Sequence, residues 1–363
     1  MKKFYFLLTA IPLLFQSQNS VEHFIGYNFI TAQSVGKIKG DIKNNIYGHS
    51  LTFGTNLENR TEEWVKFLSA KNIKYNLIYL DLDQMQNNLW GRNYGFGEVY
   101  AASANVDFRL MKFRDFEVLF SPTLGLAYIT KTVHTDPDSY FFGSHLNAMF
   151  DAGLGIQYDL TKNYALTSRL SFLHFSNGAI QLPNAGVNTI SASIGIQRNF
   201  NISTHTQQHQ QAETQVKKQA LEIAVGVGQR GKYKVKEAFY RVAISPAYSY
   251  FINNTLGFKI GLDAVYYDQV FNPEVYDDSV PYWGKSWEHW RIGTSVGTEI
   301  KMNKVSFSAN YGYYLYFKSP YNQKTYWKAG LRYYFTPKLG AESIMTAHQV
   351  QADFISFGLF ARL

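Results

Sequence analysis

The sequence lacks cysteine altogether and is poor in proline and in charge. Its 363 residues include no cysteine and 9 prolines, and 17% of them are charged. Without thiols the chain cannot build a disulfide scaffold, a thiolate metal site or a cysteine nucleophile. Beyond its first residues no run approaches the roughly 18 consecutive apolar residues that a membrane-spanning helix needs. If such a chain is exported into a membrane, it must cross that membrane as a β-barrel.

Aromatic residues are abundant. The chain has 28 Phe, 27 Tyr and 6 Trp, together 17% of its residues. That content favours extended, alternating structure, because aromatic side chains fit the pleated surface of a sheet. The net charge of +8 suits an anionic surface such as phosphorylated lipid, and it does not argue for nucleic acid.

The first residues have the pattern of an export signal. Lys2 and Lys3 precede an apolar run, Phe4–Phe15, and small or polar residues follow at Ser17–Ser20. Residues 1–17 are therefore predicted to be a signal peptide. The alternative is a buried N-terminal helix or a membrane anchor, which Pro12 and the shortness of the run both oppose.

Strand-length segments of alternating polarity fill the rest of the chain. The first half contains Ser50–Asn56, Tyr75–Asp81, Glu98–Met111, Glu117–Thr130, Leu146–Leu160, Tyr164–Ser176 and Asn188–Phe200. The second contains Leu221–Gly228, Tyr240–Phe251, Thr255–Gln269, Trp290–Met302, Val305–Phe317, Tyr326–Phe335 and two more strands to Leu363. A polar segment rich in Gln, Thr and His separates the halves.

This organisation predicts an all-β protein, an antiparallel outer-membrane β-barrel. Its units are residues 21–200, a linker at 201–220 and residues 221–363, and each barrel-like half has about eight strands. Two small barrels and one barrel of about sixteen strands are both compatible with the linker. In Thr189–Phe200, Ile190, Ile194 and other apolar residues alternate with polar ones. A soluble sandwich strand alternates in the same way, but the export signal favours the barrel.

One strand carries a pair of residues suited to catalysis. His174 and Ser176 are two positions apart, so in a strand they point to the same side. A serine needs an adjacent base to become a nucleophile, and His174 is the candidate general base. Arg169 lies on the opposite face and should point into the lumen, since a lipid-facing arginine costs roughly 2–4 kcal/mol. The pair is therefore predicted to face lipid. After Ser176, Asn177 and Gly178 could offer N–H groups to an oxyanion.

The run His174-Phe-Ser-Asn-Gly-Ala, followed by Pro183-Asn-Ala-Gly186, resembles the active-site signature of the PagL-type lipid A 3-O-deacylases, also described as acyloxyacyl hydrolase-like proteins. The segments Gly143–Asn147 and His348–Gly358 resemble the longer, two-part versions found in Bacteroidetes-type bacteria. The resemblance covers Tyr27 to Phe200 and, more loosely, the remainder. It implies an outer-membrane serine esterase that removes an ester-linked acyl chain from lipid A, with Ser176 as nucleophile and His174 as base.

The sequence departs from that family at one position. The type enzyme orients its histidine with a glutamate, and the matching residue here is Asn188. No Asp or Glu occurs between Asp159 and Glu213. The parity of the strand places Asn188 on the face of Ile190, and its amide oxygen can accept the imidazole N–H and fix the tautomer. Unlike a glutamate, this amide carries no negative charge to stabilise an imidazolium. The sequence is therefore compatible with an active but slower enzyme and with an inactive relic.

The residues and the resemblance together predict a lipid A deacylase that acts through an acyl-serine intermediate. No metal or cofactor is required, the partners are lipopolysaccharide and outer-membrane lipids, and no oligomeric state is predicted. The alternatives are a non-catalytic transport or adhesion barrel with a relic motif and a soluble exported sandwich. Ser144 and His145 are assigned a loop or structural role. His348 is followed two positions on by Val350, so the second half is predicted to carry no hydrolytic site.

Overall fold

A computed structural model describes residues 21–35, 41–43, 46–83, 85–89, 92–137, 141–202, 218–275 and 285–363 of the chain. The predicted signal peptide and most of the predicted linker lie outside these residues. Within the described part, no helix is long and apolar enough to cross a membrane.

The first half forms a closed, eight-stranded antiparallel barrel in the order β1-β11-β10-β9-β8-β7-β4-β3. Its strands are β1 (Val21–Ser34), β3 (Ile46–Asn56), β4 (Ala70–Asp81), β7 (Glu98–Phe113), β8 (Phe116–Ile129), β9 (Leu146–Asp159), β10 (Tyr164–Ser176) and β11 (Val187–Ile202). The short strands β2 (Asp41–Lys43), β5 (Gln86–Leu89) and β6 (Arg92–Gly95) form a separate three-stranded sheet. A single helical turn, α1 (Glu63–Phe67), connects β3 to β4.

The second half forms another closed, eight-stranded barrel, and its strands follow one another in chain order. They are β12 (Gln219–Gly231), β13 (Ala238–Phe251), β14 (Leu256–Tyr267), β15 (Trp290–Met302), β16 (Val305–Tyr316), β17 (Thr325–Tyr334), β18 (Leu339–His348) and β19 (Gln351–Arg362). The predicted antiparallel barrel class is confirmed, and the open question of one barrel or two is answered by two.

Both barrels turn apolar side chains outward and polar ones inward. On β11 the outward Ile190 and Ile194 are exposed, whereas Ser191 is buried in the lumen. In the first lumen, Asp107 accepts hydrogen bonds from Asn72 (2.9 Å) and Ser121 (2.7 Å). A polar lumen inside an apolar outer band is the pattern of a membrane-spanning barrel, because the outward face must meet hydrocarbon.

One end of the first lumen is closed by an apolar cluster that includes the last inward residues of β10. Leu173 and Phe175 are buried there and pack with residues of other strands, among them Val99 and Val187, and with Phe142 of the β8–β9 connection. Burial of Leu173 and Phe175 holds the end of β10 in register. The alternation of the strand then turns the residues between and after them to the outer wall.

The two barrels contact each other through their connecting segments. At one end, the Glu63 carboxylate of α1 accepts hydrogen bonds from the backbone N–H (3.1 Å) and the side-chain amide (2.9 Å) of Asn254. At the other end, the segment after β10 pairs with the β12–β13 connection through a parallel bridge between Leu182 and Tyr233. The second contact lies directly beside the predicted site.

Candidate active site

The end of β10 places His174 and Ser176 on the outer wall of the first barrel. Arg169, on the opposite face of the same strand, forms an ion pair with Asp151 and donates a hydrogen bond to the carbonyl of Ser121 (2.7 Å). The predicted inward direction of Arg169 is therefore observed, and parity then turns His174 and Ser176 outward.

The structure brings together the predicted nucleophile Ser176, the predicted general base His174 and Asn188, which is predicted to orient that base. Nε2 of His174 lies 2.8 Å from Oγ of Ser176, and Nδ1 lies 2.6 Å from Oδ1 of Asn188. His174 and Asn188 are also directly opposite each other on the paired strands β10 and β11. An amide oxygen can only accept, so Nδ1 carries the imidazole proton and donates it to Asn188. Nε2 is then the acceptor for the Ser176 hydroxyl.

A tight turn follows the serine. The N–H of Ile180 donates to the carbonyl of Asn177 (3.2 Å), and the two central residues, Gly178 and Ala179, have φ of +63° and +70°. Positive φ at both central positions is the feature of a type I′ turn. For Ala179, whose side chain disfavours this region, the conformation is strained and must be held by its surroundings.

Asn177 is held by hydrogen bonds on both its backbone and its side chain. Its N–H donates to Oδ1 of Asn184 (2.9 Å), and its side-chain amide donates to Oγ of Ser144 (2.8 Å) and to the carbonyl of Gln181 (2.9 Å). Asn177 is buried. Both of its donors have other partners, whereas within the described chain the N–H of Gly178 has none.

The chain returns to β11 close beside the catalytic candidates. Gly186 has φ of +67°, and its N–H donates to the carbonyl of Phe141 (3.1 Å). A Cβ at this position would lie 3.2 Å from Cε1 of His174 and 3.3 Å from Cβ of Ser176. Glycine is required here both by the backbone conformation and by this close approach.

Apolar side chains surround the site on the outer wall. Leu170 and Phe172 precede His174 on the same face and are 61% and 38% exposed. Phe150, the β9 partner of His174, and Ile190 on β11 are also exposed. The Ser–His pair is thus placed at one end of an apolar surface that can contact acyl chains.

Three contributors were not assigned to the site from the sequence. The sequence predicts a loop or structural role for Ser144, and the residue does lie in a loop. Its hydroxyl accepts a hydrogen bond from the Asn177 side-chain amide and donates one to the carbonyl of Leu146 (2.8 Å). Asn184 and Gly186 belong to the signature segment, but the sequence alone assigns them no role. The only sequence signal for them was their place in that segment, because their contacts depend on the loop conformation.

In the second barrel, His348 lies inside the lumen and not on the outer wall. His348 is 0% exposed, and its Nε2 lies 2.9 Å from the Tyr314 hydroxyl inside the lumen. Nδ1 is 3.7 Å from Oδ2 of Asp353. Among the described residues, no group of three or more His, Cys, Asp or Glu is arranged to hold a metal ion.

An outer-membrane-type β-barrel with a hydrogen-bonded Ser–His–Asn arrangement on its outer wall is the class of protein that this fold and site define. Family models identify it further. Residues 18–197 match "Lipid A 3-O-deacylase (PagL)" and residues 219–362 match "Acyloxyacyl hydrolase, C-terminal domain". The chain belongs to the PagL family, whose members are hydrolases acting on acyl esters of lipid A. The resemblance inferred from the signature residues is confirmed.

Comparison with solved structures returns bacterial β-barrels. Neisserial surface protein A is 12% identical with a TM-score of 0.29, over 49% of this chain and 97% of that one. Ail of Yersinia pestis is 12% identical with a TM-score of 0.28, over 50% and 100%. CdiB from Acinetobacter baumannii is 10% identical with a TM-score of 0.21, over 96% and 61%. No curated protein matches the chain.

Proposed function

We propose that the protein is an outer-membrane serine esterase that removes an ester-linked acyl chain from lipid A through an acyl-serine intermediate. The observation that carries this proposal is the 2.8 Å separation of His174 Nε2 and Ser176 Oγ on the outer wall of the first barrel. A serine hydroxyl at this distance from the unprotonated nitrogen of an imidazole can transfer its proton as it attacks.

In the proposed first half-reaction, Ser176 Oγ attacks the acyl carbonyl carbon while its proton passes to Nε2 of His174. The tetrahedral intermediate carries a negative oxygen, which the Gly178 N–H stabilises. Collapse breaks the bond to the sugar oxygen, and His174 returns the proton to that leaving oxygen. The fatty acyl group is now esterified to Ser176.

In the second half-reaction, a water molecule attacks the acyl-serine while His174 again accepts a proton. Collapse of the second intermediate returns the proton to Ser176 Oγ and releases the fatty acid. Asn188 holds the imidazole in one tautomer throughout. Asn177, whose donors have other partners, braces the turn, and Gly178 is the proposed oxyanion donor.

Energetics favour a site on the outer wall for an acyl-chain substrate. Withdrawing a chain of about fourteen carbons from the bilayer would cost on the order of 11 kcal/mol, at about 0.8 kcal/mol per methylene. A nucleophile that faces the membrane avoids most of this cost. The substrate ester reaches Ser176 by lateral diffusion, and its chain contacts the apolar surface that includes Leu170 and Phe172.

The test compares lipid A mass spectra from cells that carry the native chain and Ser176→Ala in the outer membrane. Ser168→Ala is the matched control, because Ser168 is an exposed residue on the same face of β10. Loss of one acyl chain with the native chain and the control, but not with Ser176→Ala, supports the proposal. Identical spectra for all three would leave a non-catalytic barrel as the better description. Rapidly quenched protein should also yield a Ser176 peptide that carries the acyl mass.

A further inference from the structure

The segment that follows Ser176 is bound by residues of the second barrel as well as by its own. The N–H of Gly231 donates to the carbonyl of Ala179 (2.9 Å), and the N–H of Lys234 donates to the carbonyl of Leu182 (3.1 Å). The side-chain amide of Gln229 donates to the carbonyl of Ile180 (3.4 Å). Three hydrogen bonds from the end of β12 and the connection that follows it thus reach the segment after the nucleophile.

Close packing accompanies these hydrogen bonds. A Cβ on Gly231 would lie 2.6 Å from Cα of Gln181, so the two backbones approach as near as glycine allows. On the neighbouring strand β19, the side chain of Ile355 fills the space beside Gly178. A Cβ added at Gly178 would overlap Cδ1 of Ile355.

The strained turn needs contacts that hold its conformation, and the second barrel supplies some of them. Ala179 has φ of +70°, a conformation that a non-glycine residue keeps only when its surroundings hold it there. The carbonyl of Ala179 is bonded to the second barrel, and the preceding residue carries the proposed oxyanion donor. Release of this hold would let the turn relax and move the Gly178 N–H away from the reacting oxygen.

We propose that the second barrel positions the active-site turn of the first, with Ile355 and Gly231 as positioning residues for deacylation. This inference rests on the proposed esterase function. It gives residues 219–362 a role in the reaction without a second catalytic site, since neither Ile355 nor Gly231 contacts the reacting atoms. The second barrel acts through the Gly178–Leu182 backbone.

Truncation of Ile355 tests the proposal in the full-length protein. Ile355→Ala should lower kcat about tenfold with KM nearly unchanged, because small displacements of catalytic groups reduce the rate that strongly. Ile355→Val, which keeps Cγ1 beside Gly178 and loses only Cδ1, should recover part of the rate. Leu359→Ala is the matched control, as Leu359 is an outward apolar residue of the same strand, 57% exposed. It should match the native kcat.

A double-mutant cycle then measures the coupling between Gly178 of the first barrel and Ile355 of the second. Gly178→Ala alone should lower kcat about 100-fold, the size of effect expected when an oxyanion donor is lost, because the added Cβ overlaps Ile355 and displaces the N–H. Adding Ile355→Ala removes the overlap, so the double variant should be about tenfold faster than Gly178→Ala alone. The inference would be overturned if the kcat losses of Gly178→Ala and Ile355→Ala multiplied in the double variant, or if Ile355→Ala and Leu359→Ala had equal kcat. In either case activity that depends on Ser176 would leave the esterase proposal intact. Activity that survives Ser176→Ala would instead overturn the esterase proposal itself.

Discussion

Asn188 shows how much of a catalytic arrangement an amide can reproduce. Its oxygen lies 2.6 Å from Nδ1 of His174 and fixes which imidazole nitrogen faces Ser176. Fixing the tautomer is one of the two tasks of the third residue in a Ser–His–acid arrangement, and stabilising the imidazolium is the other. A neutral amide performs the first task fully and the second only through its dipole.

We expect Asn188→Ala to lower kcat about 100-fold or more, because the imidazole loses the acceptor that orients it. Asn188→Asp should retain the native rate or exceed it by about fivefold, since a charge-assisted hydrogen bond is stronger than a neutral one by about 1 kcal/mol. Steady-state hydrolysis of a purified lipid A ester in detergent measures both. An alanine variant with full kcat would show that His174 is oriented by something other than Asn188.

At the scale of the element, the two faces of β10 serve different purposes: the outward face carries the candidate catalytic residues, and the inward face stabilises the barrel. Outward residues carry the proposed chemistry, and the inward Arg169 pairs with Asp151 on the neighbouring strand β9. Because a strand has a period of two, the position of one arginine fixes the direction of every other side chain on it. Strand β10 was therefore predictable from the sequence, and its predicted bounds, Tyr164–Ser176, match the structure.

Other features were beyond the sequence for physical reasons. Strand β1 was not among the predicted strands, since apolar residues occur on both of its faces: Phe24 is buried inward and Ile25 is exposed outward. The contact of Asn177 with Ser144, 33 residues away, depends on a loop conformation set by tertiary packing. The position of Gly178 relative to Ile355 depends on the second barrel, which no periodicity within β10 encodes.

The ion pair behind the site gives a prediction about stability. Arg169→Leu should lower the free energy of unfolding of the first barrel by about 2–3 kcal/mol, because it leaves the mostly buried Asp151 carboxylate without its cation. Adding Asp151→Asn should recover most of that loss, since the buried charge is removed. Urea unfolding in lipid vesicles, followed by the mobility shift of the folded barrel on gels, measures both. Additive losses would contradict an ionic coupling between the two residues.

At the scale of the whole molecule, both barrels have interiors filled by paired charges. In the second lumen, Glu299 accepts hydrogen bonds from Arg332 (2.6 Å) and Tyr334 (2.5 Å) and also pairs with Lys259. An eight-stranded barrel is just wide enough for its own side chains to fill it. These interiors are therefore structural cores, and the proposed chemistry lies on an outer wall and in the connecting segments.

His174 on the outer wall of the first barrel and His348 in the lumen of the second have different roles, and exchanging each for glutamine tests this difference. His174→Gln should lower deacylation by about 10²- to 10⁴-fold, because the base for Ser176 is lost. His348→Gln should leave deacylation per folded protein within about twofold, because His348 is buried against Tyr314 and Val350, two positions on, supplies no nucleophile. Lipid A spectra normalised to folded protein compare the two. Loss of acyl release in a folded His348→Gln variant would contradict this expectation. It would mean that the interior of the second barrel takes part in the reaction, in addition to the contacts that the second barrel makes with the Gly178–Leu182 segment.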